Sequence, residues 1–290
     1  MKSPTLRIAV LAAICLPIAA LAAIACSTIE VPRATGAPPR DAKNTFSHAE
    51  FDGVLKKFVN KVGRVDYGGL RLDHTQLDKY LGQLRQTSPD NDKSLFPNRW
   101  HQMAYWVNAY NACVLKQVID ENITESVGDT KFREVAFFKT TSFLIGETSM
   151  NLYNIQDRAR ALGDARVHFI MNCGANGAPR LRQESYNGES LDKVMEEAGI
   201  EFCNSDLQIS INKKTDDNPD GSVTFSAILH WHSSDFIEYA RGRGVAGATL
   251  RDAVNLWRAK EARIPLNGTD INNNFDWTLN KQEVKSPQAK

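Results

Sequence analysis

The stretch from Arg99 to Ile119 most constrains what this chain can fold into. Trp100, Met103, Ala104, Val107, Val114, Leu115 and Val118 recur at helical spacing and make a broad apolar face. Pro97-Asn98 opens the stretch. A helix that long, with a face that wide, must be wrapped by other elements, so the pattern predicts a central core helix. Trp106, Asn108, Tyr110 and Asn111 lie in it as well. Asn is a mediocre helix former, so two in a core helix ask for a reason. Either they form a polar patch facing a pocket, or they fix packing as a buried network or a solvent-facing stripe.

The flanking segments supply the wrapping. His48 to Val59 and Gln76 to Gln86 carry helical periods, with Val65 to Gly69 between them as an extended piece and a turn. Thr141 to Glu147 is short, branched and aromatic, with Gly146 as a turn signal, and reads as a strand. Asn151 can cap a helix to about Leu162. Arg166 to Cys173 holds Val167, Phe169, Ile170 and Met171 in a near-continuous apolar run, the pattern of a buried strand. Ser190 then caps another helix. Leu207–Ile211 and Ser222–Ile228 pair across a turn, and Ser234-Asp235-Phe236 and Thr249-Leu250 open later helices. Helices and strands alternate irregularly. That predicts one α+β domain with a long core helix and a small mixed or antiparallel sheet, not a doubly wound parallel sheet.

The N-terminus predicts export. Lys2 and Arg7 precede an apolar run from Ile8 to Ala25, and Ala23-Ile24-Ala25 fits a small-x-small cleavage site. Leu21 to Cys26 resembles a bacterial lipoprotein signal, in which Cys26 is lipidated, although Ala23 stands where that pattern usually has Leu. Ordinary cleavage with an idle Cys26 is the alternative. Ser27, rather than Asp, follows the cysteine, which fits onward transport to the outer membrane. The expected location is an outer-membrane lipoprotein facing the periplasm, otherwise a soluble periplasmic protein. Residues 26–47 hold Pro32, Pro38, Pro39 and Gly36 and show no apolar period, so they predict a disordered tether behind the 1–25 signal. Residues 281–290 read as a polar tail.

Losing Lys2 and Arg7 takes the formal net charge from +1 to −1, which gives no electrostatic case for a nucleic-acid partner. The expected partners are a membrane, through the N-terminal lipid, and an envelope peptide or small molecule. Cys113, Cys173 and Cys203 remain, an odd number, so at least one thiol is free or pairs with another molecule.

Several motifs suggest chemistry. Asp216, Asn218, Asp220 and Gly221 match the opening of a calcium loop, but position twelve is Ala227 where a bidentate Glu belongs. Asn218-Pro219-Asp220-Gly221 suits a hairpin turn better. Cys173 ends the apolar run and begins a loop with Gly174 and Gly177, a good place for a nucleophile beside converging amides. The alternative is a small buried hydrophobe. A base has to come from His168, His230 or His232. As strand residues, His168 and Cys173 would point to opposite faces, so a direct pair needs a bend. His230 and His232, two residues apart, have the spacing to share a metal, but no further ligand cluster stands out, so no metal and no cofactor are expected.

Trp106-Val107-Asn108-Ala109-Tyr110-Asn111, Val65-Asp66-Tyr67, Asn151 to Gln156, Asp164 to Pro179, Phe225 to Phe236 and Asp276 to Asn280 resemble, in order, the motifs of the domain of unknown function 547, over roughly residues 48–280. The resemblance implies that Asn111, His168, Cys173 and Asp235 matter, and supplies no established reaction. Gln156 stands where the pattern has Glu, Asp157 where it often has His, and Ala178 where it often has a second Cys. Two readings follow. One is a non-catalytic binding or accessory module, its pocket lined by Tyr110, Asn111 and Trp231. The other is a thiol-dependent hydrolase or acyl transferase. There Cys173 is the nucleophile, His168 or His230 the base, Asn111 or Asp235 the orienting group, and amides around Gly174 hold the oxyanion.

Overall fold

The structure is a computed structural model and describes residues 27–128, 133–212, 221–265, 268–272 and 274–283. The export signal, Cys26, most of the calcium-like loop and the tail from residue 284 lie outside the described residues.

The chain enters directly into structure. β1 (Ser27–Ile29) is followed by Val31 and Phe46, both buried. Phe46 packs edge-on to Tyr105 and stacks with Phe96. The expected disordered tether is therefore corrected. Its prolines break regular structure, yet Val31 and Phe46 lack a period only because the chain lies along the core as an irregular strap. The Arg85 guanidinium donates to the Val31 carbonyl and Gln86 to that of Gly36.

α1 (Ala49–Phe58), α2 (Tyr67–Leu72) and α3 (Thr75–Gln86) follow as a helical layer. The expected extended piece at Val65–Gly69 is helical from Tyr67, because the Asp66 carboxylate caps α2 by accepting from the Gly69 amide. α4 (Arg99–Asp120) is the predicted core helix, opened by Asn98, whose side chain accepts from the amides of Trp100 and His101. Every residue from Met103 to Ile119 is buried. The helix is enclosed all round because α2, α3 and later helices pack on it from different sides.

After α5 (Arg133–Lys139), β2 (Thr141–Ile145) and β3 (Thr148–Asn151) form a hairpin, with Gly146 and Glu147 both at positive φ, as a two-residue turn demands. β1 joins β2 in parallel, Ser27 opposite Thr141, giving a three-stranded sheet. Asn151 caps α6 (Leu152–Arg160) through a reciprocal capping box with Asn154.

The buried strand expected over Arg166–Cys173 is absent. Ala165–Phe169 is a 3-10 turn. Asp164 accepts from the Arg166 amide, and its carboxylate also grips the Arg166 guanidinium at 3.0 and 2.8 Å, which turns the chain back on itself. A short apolar run is equally compatible with a buried strand and a buried helical turn, since periodicity fades once every side is packed.

α7 (Leu191–Cys203), β4 (Ile209–Asn212) and β5 (Ser222–Phe225) come next; β4 and β5 are antiparallel, as the sequence predicts. α8 (Ala227–Trp231), α9 (Ser233–Gly242) and α10 (Leu250–Val254) follow. β6 (Thr269–Asn272) then completes a second mixed sheet. Among the described residues the chain is thus an α+β domain of ten α-helices, with α4 the buried one among them, and two small mixed sheets.

Phe46→Ala should lower unfolding stability by about 3–5 kcal/mol, as truncation of a core aromatic does. A urea titration unchanged by the substitution would restore the tether reading.

Candidate functional site

Asn108 and Asn111 answer the question their presence in α4 raises. Three residues apart, they share one helical face. Asn108 accepts from the Tyr186 amide and donates to the carbonyl of the same residue, at 3.0 and 2.7 Å. Asn111 accepts from the Asn172 amide at 2.9 Å and donates to the Ile170 carbonyl at 3.1 Å. Each carboxamide serves a passing chain as a strand neighbour would. Asn111 is fully engaged in holding the backbone around Met171, so it positions the loop and is not available to orient an imidazole.

The loop is fixed from the other side too. Asn172 donates to the Pro179 carbonyl and accepts from the Gly174 amide. The Asn280 side chain donates to Asn172 and accepts from the Tyr67 hydroxyl. The Gly174 amide is therefore used within the loop, its carbonyl accepts from the Asn280 amide, and the residue does not line the cavity described below. That corrects its expected role in an oxyanion hole. The glycine-rich loop instead seats the C-terminal segment: the amides of Asn176 and Gly177 donate to the carbonyls of Thr278 and Asp276. A Cβ on Gly177 would meet the Asp276 backbone at 2.9 Å, which leaves no room for a larger residue.

Between this loop, α4, α6, α8 and the C-terminal segment lies a cavity of about 430 Å³. Its walls are aromatic: Tyr110, Phe138, Tyr153, Trp231, Phe275 and Trp277. Trp231 and Trp277 stack at 5.7 Å between centroids, and Phe275 meets Trp277 at 4.5 Å. Gln156, His168, His232 and Cys173 add polar groups. The structure thus brings together Tyr110, Trp231, His168 and Cys173 among the predicted residues. His230 is left out of this lining: its ring packs edge-on against Phe225, and its buried Nε2 has no partner among the described residues.

Cys173 has thiol chemistry opposite to that of a nucleophile. Burial pushes it up to about 12, against which the backbone amides of Ala175 and Cys173 pull only weakly. Among the described residues no imidazole is hydrogen-bonded to it. Cys113 and Cys203 are buried as well, and all three thiols are free.

His168 is held by Asp235, Nε2 to Oδ2 at 2.8 Å. Asp235 is gripped in turn by Arg160, Nε to Oδ2 at 2.9 Å and Nη2 to Oδ1 at 3.0 Å. The His168 bond, with Arg160, holds the Asp235 carboxyl well below the usual range. Burial lowers His168 despite Asp235. The ionised carboxylate can only accept, so a neutral His168 donates from Nε2. His232 stacks on His168 at 3.7 Å with planes 12° apart, and Gln156 Nε2 lies 3.5 Å from its Nε2. Burial, the neighbouring His168 and Arg160 bring His232 down to about 3.

His168, His232 and Asp235 place three potential ligand atoms within 4.8 Å of one another, a cluster that the sequence spacing alone did not reveal. Its geometry does not suit a cation. Imidazole lone pairs lie in the ring planes, so two stacked rings direct them side by side instead of toward one point. Arg160 also occupies both oxygens of the only carboxylate. The one local signal for the cluster was His232 and Asp235, one helical turn apart at the start of α9. Trp277 is legible only as part of the Asp276–Asn280 motif and Phe275 not at all, because only the tertiary fold returns them to α8.

The family model described as "Protein of unknown function, DUF547" matches residues 96–203, in agreement with the resemblance that the motifs in this stretch carry. The stretch contains α4, His168 and Cys173; Trp231, His232, Asp235 and Trp277 lie beyond it. No curated protein and no solved structure matches the chain.

Asn111→Ala should cost about 2–4 kcal/mol, because it leaves the Asn172 amide and the Ile170 carbonyl buried without partners; chemical denaturation reads it. A second outcome concerns pH. His48 and His232 are both held near 3 when folded, each with burial as the main cause, against about 6.5 when unfolded. Between those limits the unfolded chain binds protons that the folded chain refuses, so stability falls as pH drops from about 6.5 toward 3. His232→Gln should remove up to one proton from that dependence, measured by unfolding at a series of pH values.

Proposed function

We propose that this is an exported envelope protein whose domain acts as a non-catalytic binding module, with the aromatic cavity as its ligand site. The observation that carries this reading is the state of Cys173: it is buried in the cavity wall, bonded to no imidazole among the described residues, and raised to about 12. A thiol in that condition is not a nucleophile at neutral pH, while an aromatic cavity with a few convergent polar groups is the usual form of a small-molecule site. Gln156 fits the same reading, since a carboxamide hydrogen-bonds but does not exchange protons.

The charged start, the apolar run and the small residues before Cys26 support export and cleavage, with Cys26 as the lipid-bearing residue. Ser27 lies next to Cys26 and already belongs to β1. A lipidated domain would therefore sit against the membrane surface with almost no spacer, its orientation set by the first sheet. Among the described residues no helix is long and apolar enough to cross a membrane.

The hydrolase reading retains one specific observation, the His168–Asp235 pair, which is the base-and-orienter half of a catalytic triad. The alkylation rate of Cys173 against pH decides between the two. In a chain beginning at Ser27 with Cys113→Ser and Cys203→Ser, folding checked by circular dichroism, labelling should be slow from pH 6 to 9 and become fast only on unfolding. Fast labelling with a thiolate transition below the unperturbed value of about 8.5 would overturn the module and establish an activated nucleophile.

A further inference from the structure

We infer that the aromatic cavity takes a neutral saccharide, its ring stacked on the Trp231–Trp277 shelf and its hydroxyl or acetamido groups bonded to Gln156, His232 and Tyr110. The inference rests on the binding reading above and names the ligand class for that site.

Charge is the first argument. None of the residues lining the cavity is Asp, Glu, Lys or Arg. Asp235 stands just behind the imidazoles, but Arg160 holds both its oxygens. Lys139 lies outside the lining, over the outer face of the aromatic wall, 5.2 Å from the Tyr153 ring centroid. A charged ligand entering this space would lose its hydration and find no counter-charge, which is strongly unfavourable. The contrast is local: the depression on the other side of Asp235 is lined by four arginines and five acids. An ionic ligand would be better served there.

The polar groups are the second argument. A carboxamide, a neutral imidazole and a phenol each both donate and accept. Hydroxyl and acetamido groups do the same, so each side can satisfy the other whichever way the hydrogens point. Tyr110 is only 3% exposed and lines the cavity. Its phenol is one of the few polar groups there that a ligand hydroxyl can meet.

Shape is the third. Trp231 is 51% exposed and continues the Trp277 and Phe275 surfaces out of the cavity. A half-exposed indole at the mouth gives the apolar face of a second sugar ring somewhere to rest outside the cavity, which fits the end of an oligosaccharide better than a small metabolite. An aliphatic or purely aromatic ligand would fill the walls but strand Gln156, His232 and Tyr110 without partners.

The test uses isothermal titration calorimetry of the full-length protein with N,N′,N″-triacetylchitotriose, cellotriose, the de-acetylated glucosamine trimer, which carries ammonium charges, and indole. A saturable change with at least one neutral trisaccharide is expected. Binding should be at least tenfold weaker for the charged trimer. Trp231→Ala should weaken it at least tenfold in a protein that still unfolds cooperatively, since Trp231 is half exposed, and Tyr110→Phe should weaken it without loss of fold. Equal or tighter binding of the charged trimer would overturn the inference. So would saturation by indole with no response to either neutral sugar, although that result would leave the cavity as a binding site. Silence from all four probes would overturn it too. The binding reading itself fails on a separate result, fast alkylation of Cys173.

Discussion

Three buried carboxamides, on Asn111, Asn172 and Asn280, hold together a region that no sheet or helix supports. The chain from Ile170 to Pro179 runs through the interior without regular pairing, and an interior backbone without partners is costly. Asn111 bonds on both sides of Met171, Asn172 closes the loop on Pro179 and Gly174, and Asn280 ties Asn172 to Tyr67. Each amide has one donating and one accepting end, so it can stand in for a peptide group. Asp in any of these places would lose the donor and bury a charge; Leu would lose both ends. The cavity depends on this arrangement, because the same loop carries Cys173 and Ala178 into its wall and seats the segment that brings Phe275 and Trp277.

Seen this way, the family motifs describe a scaffold more than a reaction. The asparagines of the α4 motif bind backbone. Asp164 and Arg166 bind each other, and Arg166 also reaches Asp192 and Glu196 on α7. The last asparagine of the Asp276–Asn280 motif completes the amide chain. Other motif residues, among them Tyr110, Gln156, His168, Cys173, Trp231, His232 and Trp277, face the cavity, and His168 is the one paired with a carboxylate. The pair it forms with Asp235 is stabilised in its charged-carboxylate, neutral-imidazole form by Arg160 on one side and burial on the other. That makes the pair rigid, and a rigid neutral imidazole serves hydrogen bonding as readily as catalysis.

Much of the architecture was legible in the sequence because the signals were local. The α4 face, the Asn98 and Asn151 caps and the β4–β5 pairing each follow from a few neighbouring residues. The failures have a common cause. Val167 to Met171 looks like a strand because all its residues are apolar, and only the Asp164–Arg166 grip makes it a turn. Residues 27–47 look like a linker because a strap laid across a core needs no period; Val31 and Phe46 are single anchors. For the site, the type of residue was readable and the geometry was not. His168 and Asp235 are legible one by one but their mutual bond is not, nothing local favours His232 over His230, and the approach of Phe275 and Trp277 to Trp231 spans more than forty residues of chain.

The arrangement of charge around the cavity connects these points. Arg160 and Asp235 line the depression of arginines and acids, and Asp235 bonds across to His168, which lines the cavity that has none. The bidentate bond between them cancels the charge of each where the two spaces meet. Behind it, His168 and His232 are stacked and kept neutral chiefly by burial, with Arg160 adding to the effect. The neutrality of the cavity thus has two sources: a lining without acids or bases of fixed charge, and burial of the two imidazoles, which the Arg160–Asp235 contact outside the lining supports.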